Sequence, residues 1–453
     1  MSVQPARRIA LDVIRAVHDS DAYANLLLPV RLHRAKLSPA DAGFTTELTY
    51  GTLRMQGYYD AVIAIAAGRE VSRIDPGILD VLRLGTHQLL SLRVADHAAV
   101  GESVEQAKSV GSRSAVGFTN GVLRTISRTE PEEWRRRVLA GKHGDEALAL
   151  AHSHPLWVER AFKSALAAEG REAELESLLE ADNAPPRVTL TALPGRTTVD
   201  DLDLPATPHS PLGAVSPSGD PLAVRSVRTG DARVQDEGSQ LAALALSRAR
   251  PVEAGEQWLD MCAGPGGKAA LLAAEALQGG AVLTANEVVP ARAELVRKAL
   301  AVFGDAAPEV WEEDGRDIGD DHPEAYDRIL LDAPCTGLGA LRRRPEARWR
   351  KVPRDVAELA ELQAGLIDSA LRALKPGGLL AYVTCSPHLA ETKVVVEGAL
   401  KKWAGSVERV DTQAALAGVV TEPLDLPEGS HVQLWPHRHG TDAMFIQLLT
   451  RTA

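Results

Sequence analysis

Residues 257–277 read QWLDMCAGPGGKAALLAAEAL, and the order of residue types in this stretch decides the fold. QWLDM (257–261) is a short apolar run of the length of a buried strand. DMCAGPGGK (260–268) follows with glycines at 264, 266 and 267, and KAALLAAEAL then reads as a helix. Strand, glycine turn and helix in succession open a βαβ unit. The glycines let the backbone turn tightly and approach a ligand closely. The helix start behind them offers N–H groups that no residue of the helix can use. The turn is neither GxGxxG nor a Walker loop, so it has the form of a nucleotide-binding turn without either motif.

The same alternation runs on toward the C-terminus. AVLTAN (281–286), RILLD (328–332), LLAYVT (379–384) and AMFIQLL (443–449) are strand-like. A helix with Leu359, Leu362, Leu366 and Ala370 on one face separates the RILLD and LLAYVT runs. This pattern predicts a parallel sheet covered on both sides. Such sheets bind ligands at the carboxyl ends of their strands. Two carboxylates fall there. Glu287, after the second strand, has the position of a ribose-binding acid, and Asp314 ends a third candidate strand where an adenine would rest.

Two of the three cysteines fall at strand ends as well. Cys335, in DAPCTGLG (332–339), follows RILLD, and Cys385, in TCSP (384–387), follows LLAYVT. Each sits near a proline and a hydroxyl residue. A thiolate can add to carbon 6 of a cytosine and make carbon 5 able to attack a methyl donor, which is covalent catalysis. Asp332 could give the ring a proton or offset charge developing on it. The proton on carbon 5 must then leave, and a second thiol or base would serve that step. Composition and spacing do not say which thiol attacks. Cys262 is expected to do no chemistry, its backbone lining the cofactor loop.

Composition bounds the rest. Hydrophobic residues make up 45% of 453 residues and aromatics only 4%, so the cores rest on Leu, Val and Ala. No run of about 18 apolar residues occurs, so no membrane span is expected. The N-terminal stretch reads as an amphipathic helix, with Ile9, Val13 and Val17 at helical spacing and Ala6 and Ala10 beside them, and not as a signal peptide. Three cysteines cannot form a disulfide framework, which points to a reducing cytoplasm, and no Cys/His spacing suggests a metal. The net charge is -11, with 19 basic against 17 acidic residues in the first 150 and 31 against 44 in the remainder. A general polyanion binder would be basic, so an RNA site here has to be a local patch. Residues 1–142 read as helices throughout. Residues 143–233 read as a small α+β segment, with a strand at RVTLTAL (187–193) and an irregular loop over 203–221 that carries Pro205, Pro208, Pro211, Pro217 and Pro221.

At these residues the chain resembles the RNA cytosine-5 methyltransferases, and within them the bacterial 16S ribosomal RNA members known as Fmu or Sun proteins. The resemblance rests on VQDEGSQLAA (234–243), DMCAGPGGK, LLDAPCTGLGALRRRPEARW (330–349), LKPGGLLAYVTCSPHLAET (374–392) and HGTDAMF (439–445). TELTYGTLR (46–54), HAAVGESVEQAK (97–108) and GFTNGVLR (117–124) resemble the NusB-like domain that these proteins carry. It implies a multidomain chain. An all-α NusB-like bundle spans 1–142, a small α+β segment 143–233, and a Rossmann-like class I methyltransferase domain 234–453. It implies S-adenosylmethionine as the cofactor, held by Cys262, Ala263, Gly264, Pro265, Gly266, Gly267, Lys268, Glu287, Asp314 and Asp332. It also orders the thiols, with Cys385 as nucleophile, Cys335 assisting release and Asp332 beside them. The Pro-Cys motif of DNA cytosine methyltransferases would instead point to Cys335. Gly264, Ala269 and Glu287 stand where Ala, Thr and Asp are common in the family. Glu287 lengthens the carboxylate arm by one carbon and keeps the ribose contact feasible.

Arg342, Arg343, Arg344 and Arg348, with Arg350 and Lys351, surround Trp349 in a net acidic part of the chain. They are expected to clamp RNA phosphates. The partner expected is RNA, 16S ribosomal RNA above all, with no DNA, no membrane and a monomeric enzyme. A tRNA enzyme of the same chemistry and a non-catalytic NusB-like RNA-binding factor are the alternatives.

Overall fold

The computed structural model describes residues 3–20, 22–216 and 220–452. The chain forms two compact units, neither of them one continuous stretch. The first comprises 1–163, 173–185 and 341–350, and the second 164–172, 186–340 and 351–453.

The first unit is helical. Its N-terminal helix, Pro5–Asp19, buries Ala6, Ile9, Ala10, Val13, Ile14 and Val17, the face that the periodicity marks. Helix starts follow from local chemistry. Proline stands in the first turn of Pro39–Arg54 and Pro76–Leu90, where its missing N–H costs nothing. Ser38 and Asp75 cap those two helices by accepting from the N–H groups of Asp41 and Ile78. The core includes Leu48, Tyr59, Val62, Val81, Leu84 and Leu123. Trp134 is buried against it and donates its indole N–H to Ile126 O at 3.0 Å.

Residues 341–350 belong to this helical unit. Arg348 is fully buried. Its guanidinium donates to Arg54 O (3.3 Å), Ser153 O (3.1 Å), Asn183 Oδ1 (2.9 Å) and Asp182 O (3.4 Å). Arg350 donates to Val17 O and Ala22 O at 2.7 and 2.6 Å. The Trp349 ring lies where a Cβ on residue 57 would stand, 2.2 Å away, so only Gly57 admits it.

The second unit opens with a three-stranded antiparallel sheet, ordered β2-β1-β3. β1 is Thr189–Ala192, β2 Gly213–Val215 and β3 Ala232–Val234. The proline-rich 203–221 stretch is thus not wholly irregular, because β2 lies inside it. Pairing with β1 supplies an order that the prolines conceal. Pro217 of that stretch lies outside the described residues.

A mixed eight-stranded sheet follows. Its parallel strands are β4 (Gln257–Asp260), β5 (Val282–Asn286), β6 (Glu309–Trp311), β7 (Tyr326–Asp332) and β8 (Leu374–Thr384). β9 (Val407–Val410) and β10 (Val432–Gln433) both pair with β11 (Phe445–Arg451), which runs antiparallel to β8. The order is β10-β11-β8-β7-β4-β5-β6. The expected parallel sheet is therefore parallel only from β4 to β8. Side chains alternate between two cores as the pleat requires. Leu330 packs with Leu241, Leu244, Leu271 and Leu272. Its neighbours Ile329 and Leu331 pack with Leu366, Ile367 and Leu371 of the helix Pro353–Ala373. β5 and β7 flank β4, so the chain reverses direction across the sheet at β4, and the crevice at its carboxyl end is the ligand position for this topology. Among the described residues no helix is long and apolar enough to cross a membrane.

Candidate active site

The glycine turn leaves β4 through Met261, whose N–H donates to Leu330 O of β7, and Ala263, whose N–H donates to Asn286 O of β5. The loop is thereby fixed across the switch point. Gly266 has φ +102° and caps the helix Gly267–Gly279. A Cβ there would stand 2.5 Å from the Ala299 Cβ. A Cβ on Gly264 would stand 2.1 Å from Glu287 Oε2, so this glycine is what lets the loop lie against the carboxylate. Glu287 is 3% exposed, and its two oxygens accept from Gly264 N (3.1 Å) and Val289 N (3.0 Å). A carboxylate has room for further donors. The arrangement fits a cradle for a nucleoside: a tight turn, free helix N–H groups and an adjacent acid.

Asp314 follows β6 and is occupied by Arg316, which donates from its backbone and its side chain, both at 3.0 Å. Those bonds hold the Asp314 carboxyl below its ordinary range. Asp332 ends β7 and accepts from Lys268 Nζ at 2.7 Å. Burial works to lower the Lys268 pKa, but the Asp332 carboxylate and the Cys385 sulfur outweigh it and raise it above the ordinary lysine value. The ammonium therefore stays charged at neutral pH.

Asp260, at the end of β4, is fully buried. Burial, and then the charge of Asp332, push its carboxyl up to about 8. A carboxyl with a raised folded pKa adds stability that is complete below the unfolded value of 3.8 and is lost as pH rises through the folded one. Asp260→Asn, which cannot ionise, is therefore expected to gain on the wild type between pH 4 and pH 8 by a few kcal/mol in all, at about 1.4 kcal/mol per pKa unit. Above that window the difference levels off. Melting midpoints of both proteins across pH would test this, and a gap that does not vary with pH would refute it.

β7 and β8 are adjacent and parallel, with Asp332 opposite Val383, so their exit loops leave side by side. Cys335 Sγ and Cys385 Sγ lie 3.4 Å apart. Gly339 N donates to Cys385 O at 2.8 Å, and the approach is so close that a Cβ on Gly339 would stand 2.1 Å from Ala443 O. The hydrogen bond with Cys385 raises the Cys335 pKa well above the ordinary thiol value. Burial and the charges of Glu391 and Asp332 add to the effect. Either sulfur can be the donor in this contact. Cys262 is also pushed well above the ordinary value, by burial and then by Asp260, Asp332 and Glu287, which disfavours its thiolate.

The structure thus joins the 262–268 turn to Glu287 through Gly264 and to Asp332 through Lys268. Asp314 lies one strand further on, where Glu287 N donates to Trp311 O of β6. The expected phosphate clamp needs correction. Arg342 is 7% exposed and Arg348 not at all, so neither guanidinium can meet an RNA phosphate from solvent. Carbonyl groups of the helical unit have taken the place of phosphates around Arg348. Arg343 and Arg344 are half-buried. Among the described residues, His152, Glu176 and Glu180 bring three donor atoms within 4.8 Å of one another. Both glutamates are exposed, and His152 Nε2 lies 3.6 Å from Glu176, while burial holds the His152 pKa below its ordinary value. The sequence reading passed over Asp260 and Glu391. Asp260 could have been found as the acid that closes the first strand, whereas nothing local marks Glu391.

Residues 249–450 match the family model described as 16S rRNA methyltransferase RsmB/F, and residues 4–128 match the NusB family. The chain is 48% identical to "Putative methyltransferase Rv1407" of Mycobacterium tuberculosis (strain H37Rv), over 99% of this chain and 97% of that one. It is 32% identical to ribosomal RNA small subunit methyltransferase B of Pseudomonas syringae pv. tomato, again over 99% and 97%. The crystal structure of PH0851 superposes with a TM-score of 0.82 at 22% identity, covering 99% of both chains. A methyltransferase homolog protein from Pyrococcus horikoshii superposes with a TM-score of 0.54 at 24% identity, over 68% of this chain and 98% of that one. These two likenesses show the fold.

Proposed function

Because the chain belongs to the RsmB/F family of RNA methyltransferases and carries a NusB domain, we propose that it methylates carbon 5 of a cytosine in 16S ribosomal RNA through a covalent bond to Cys385. The observation that carries this reading is the pair of thiols 3.4 Å apart beside the Lys268–Asp332 ion pair, at the carboxyl edge of the sheet. When bound, S-adenosylmethionine supplies an electrophilic sulfonium methyl. The 262–268 turn, Glu287 and Asp314 would hold its nucleoside. Cys385, as thiolate, adds to carbon 6, and the ring nitrogen takes a proton through the Asp332–Lys268 pair, so that carbon 5 becomes nucleophilic. Cys335 assists the last step, in which carbon 5 loses its proton and the sulfur–carbon 6 bond breaks. The RNA contacts proposed for the 342–348 stretch reduce to Arg343 and Arg344. Bisulfite sequencing of 16S ribosomal RNA incubated with the enzyme and S-adenosylmethionine tests the reading. One newly protected cytosine is expected, and protection in transfer RNA alone would overturn the substrate.

Asp314→Ala is expected to weaken S-adenosylmethionine binding roughly tenfold to a hundredfold, the worth of one charge-assisted hydrogen bond. The melting midpoint should hardly move, since the carboxylate is partly exposed and its partner Arg316 lies at the surface. Titration calorimetry would measure the change, and an unaltered dissociation constant would remove Asp314 from the site.

A further inference from the structure

We propose that Glu391 is a positioning residue. Its buried carboxylate ties together the two loops that carry the thiols and so sets the Cys335–Cys385 separation. The inference rests on the two-thiol reading above and adds to it a residue bound to the neighbour of each thiol.

Glu391 lies in the single turn Leu389–Glu391, six residues beyond Cys385, and is fully buried. Oε1 accepts from Thr336 N at 2.7 Å and from Gln363 Nε2 at 3.3 Å. Oε2 accepts from Thr336 Oγ1 at 2.5 Å and from Ser386 Oγ at 2.6 Å. Four donors fill the acceptor capacity of a carboxylate. Thr336 is the residue after Cys335, and Ser386 is the residue after Cys385. One side chain therefore grips the immediate neighbour of each thiol. Gln363 also donates to Pro334 O at 2.8 Å, which secures the other side of Cys335.

The four donors suit a side chain that accepts at both of its oxygens. The Thr336 and Ser386 hydroxyls lie 3.0 Å apart, and both are within hydrogen-bond reach of the same oxygen, Oε2. A glutamine would turn an N–H₂ toward either the hydroxyl pair or the Thr336 N–H, opposing donor to donor. Burying a carboxylate without a cation is costly unless every lone pair is met, and here the donors that meet it come from the reacting loops and from the helix behind them. Misplacing a reacting group by about 1 Å can cost on the order of a hundredfold in rate.

The test uses the full-length chain with Glu391→Gln, and with the double variant Thr336→Val plus Ser386→Ala, which keeps the carboxylate but removes both hydroxyl ties. Disulfide formation between Cys335 and Cys385 under diamide, counted by mass spectrometry, reads the separation without any RNA. It is expected to slow about tenfold in both variants. The turnover number should fall roughly tenfold to a hundredfold, while KM for RNA and the affinity for S-adenosylmethionine stay within about twofold, because the 262–268 turn and Glu287 do not contact Glu391. A folded Glu391→Gln protein that cross-links at the wild-type rate, or that cross-links slowly yet turns over normally, would overturn the proposal. If Glu391→Gln shows no melting transition, the double variant decides by the same criteria. If the wild type methylates no cytosine, the proposed function falls, while the cross-linking rates still decide whether Glu391 sets the separation.

Discussion

Cys385→Ala is expected to abolish methyl transfer, by about 10⁴-fold or more as for other lost nucleophiles, and to form no covalent adduct with RNA. Cys335→Ala should be as poor in turnover but opposite on a denaturing gel. It still attacks carbon 6, then stalls as a protein–RNA adduct because elimination has lost its helper. The ranking of the two thiols is the one the family resemblance implies. The sulfurs are 3.4 Å apart, so both stand within reach of one target ring. A retarded band from Cys385→Ala with none from Cys335→Ala would reverse the roles. Full activity in either variant would end the two-thiol mechanism.

Arg348→Ala is expected to cost the helical unit more than about 3 kcal/mol. Three carbonyls, Arg54 O, Ser153 O and Asp182 O, and the Asn183 side-chain amide oxygen lose the donors they now have. Each buried acceptor left unsatisfied costs about 1–3 kcal/mol, and the vacated volume adds a cavity term. Arg348→Lys should rescue little, since one ammonium cannot reach four divergent acceptors. Calorimetry and hydrogen exchange at the helices Pro5–Asp19 and Pro39–Arg54 would report the loss. A melting profile unchanged from wild type would show that the guanidinium contributes no net stability.

The strand–turn–helix at 257–279 was legible because its signal is local. An apolar run, three glycines and a helical run adjoin in the chain, and the strands at 282–286, 326–332 and 374–384 repeat the pattern. β10 has two residues and β9 four, too few to show alternation, and only pairing with β11 defines them. The 342–350 stretch reads as an RNA-phosphate clamp because nothing within it reports burial. The acceptors around Arg348 lie between 165 and 294 residues away in the chain. Glu391 was illegible for the same reason, its four donors coming from residues 336, 363 and 386. Chemistry carried by one loop can be read from a sequence; a charged side chain fixed by distant partners cannot.

The interlacing of the helical unit with the 341–350 stretch bears on how the protein is made. Domains generally fold from the N-terminus as they leave the ribosome, at about 5–20 residues per second. The contacts that Arg348 and Trp349 make in this helical unit cannot form when residue 163 has emerged, because both residues have yet to be synthesised. For roughly ten to forty seconds the Ser153, Asp182 and Arg54 carbonyls are without Arg348, and the space beside Gly57 is without the Trp349 ring. Translation therefore sets the order of maturation. The N-terminal unit is the first to be started, and it is completed only after the first four strands of the large sheet have been made.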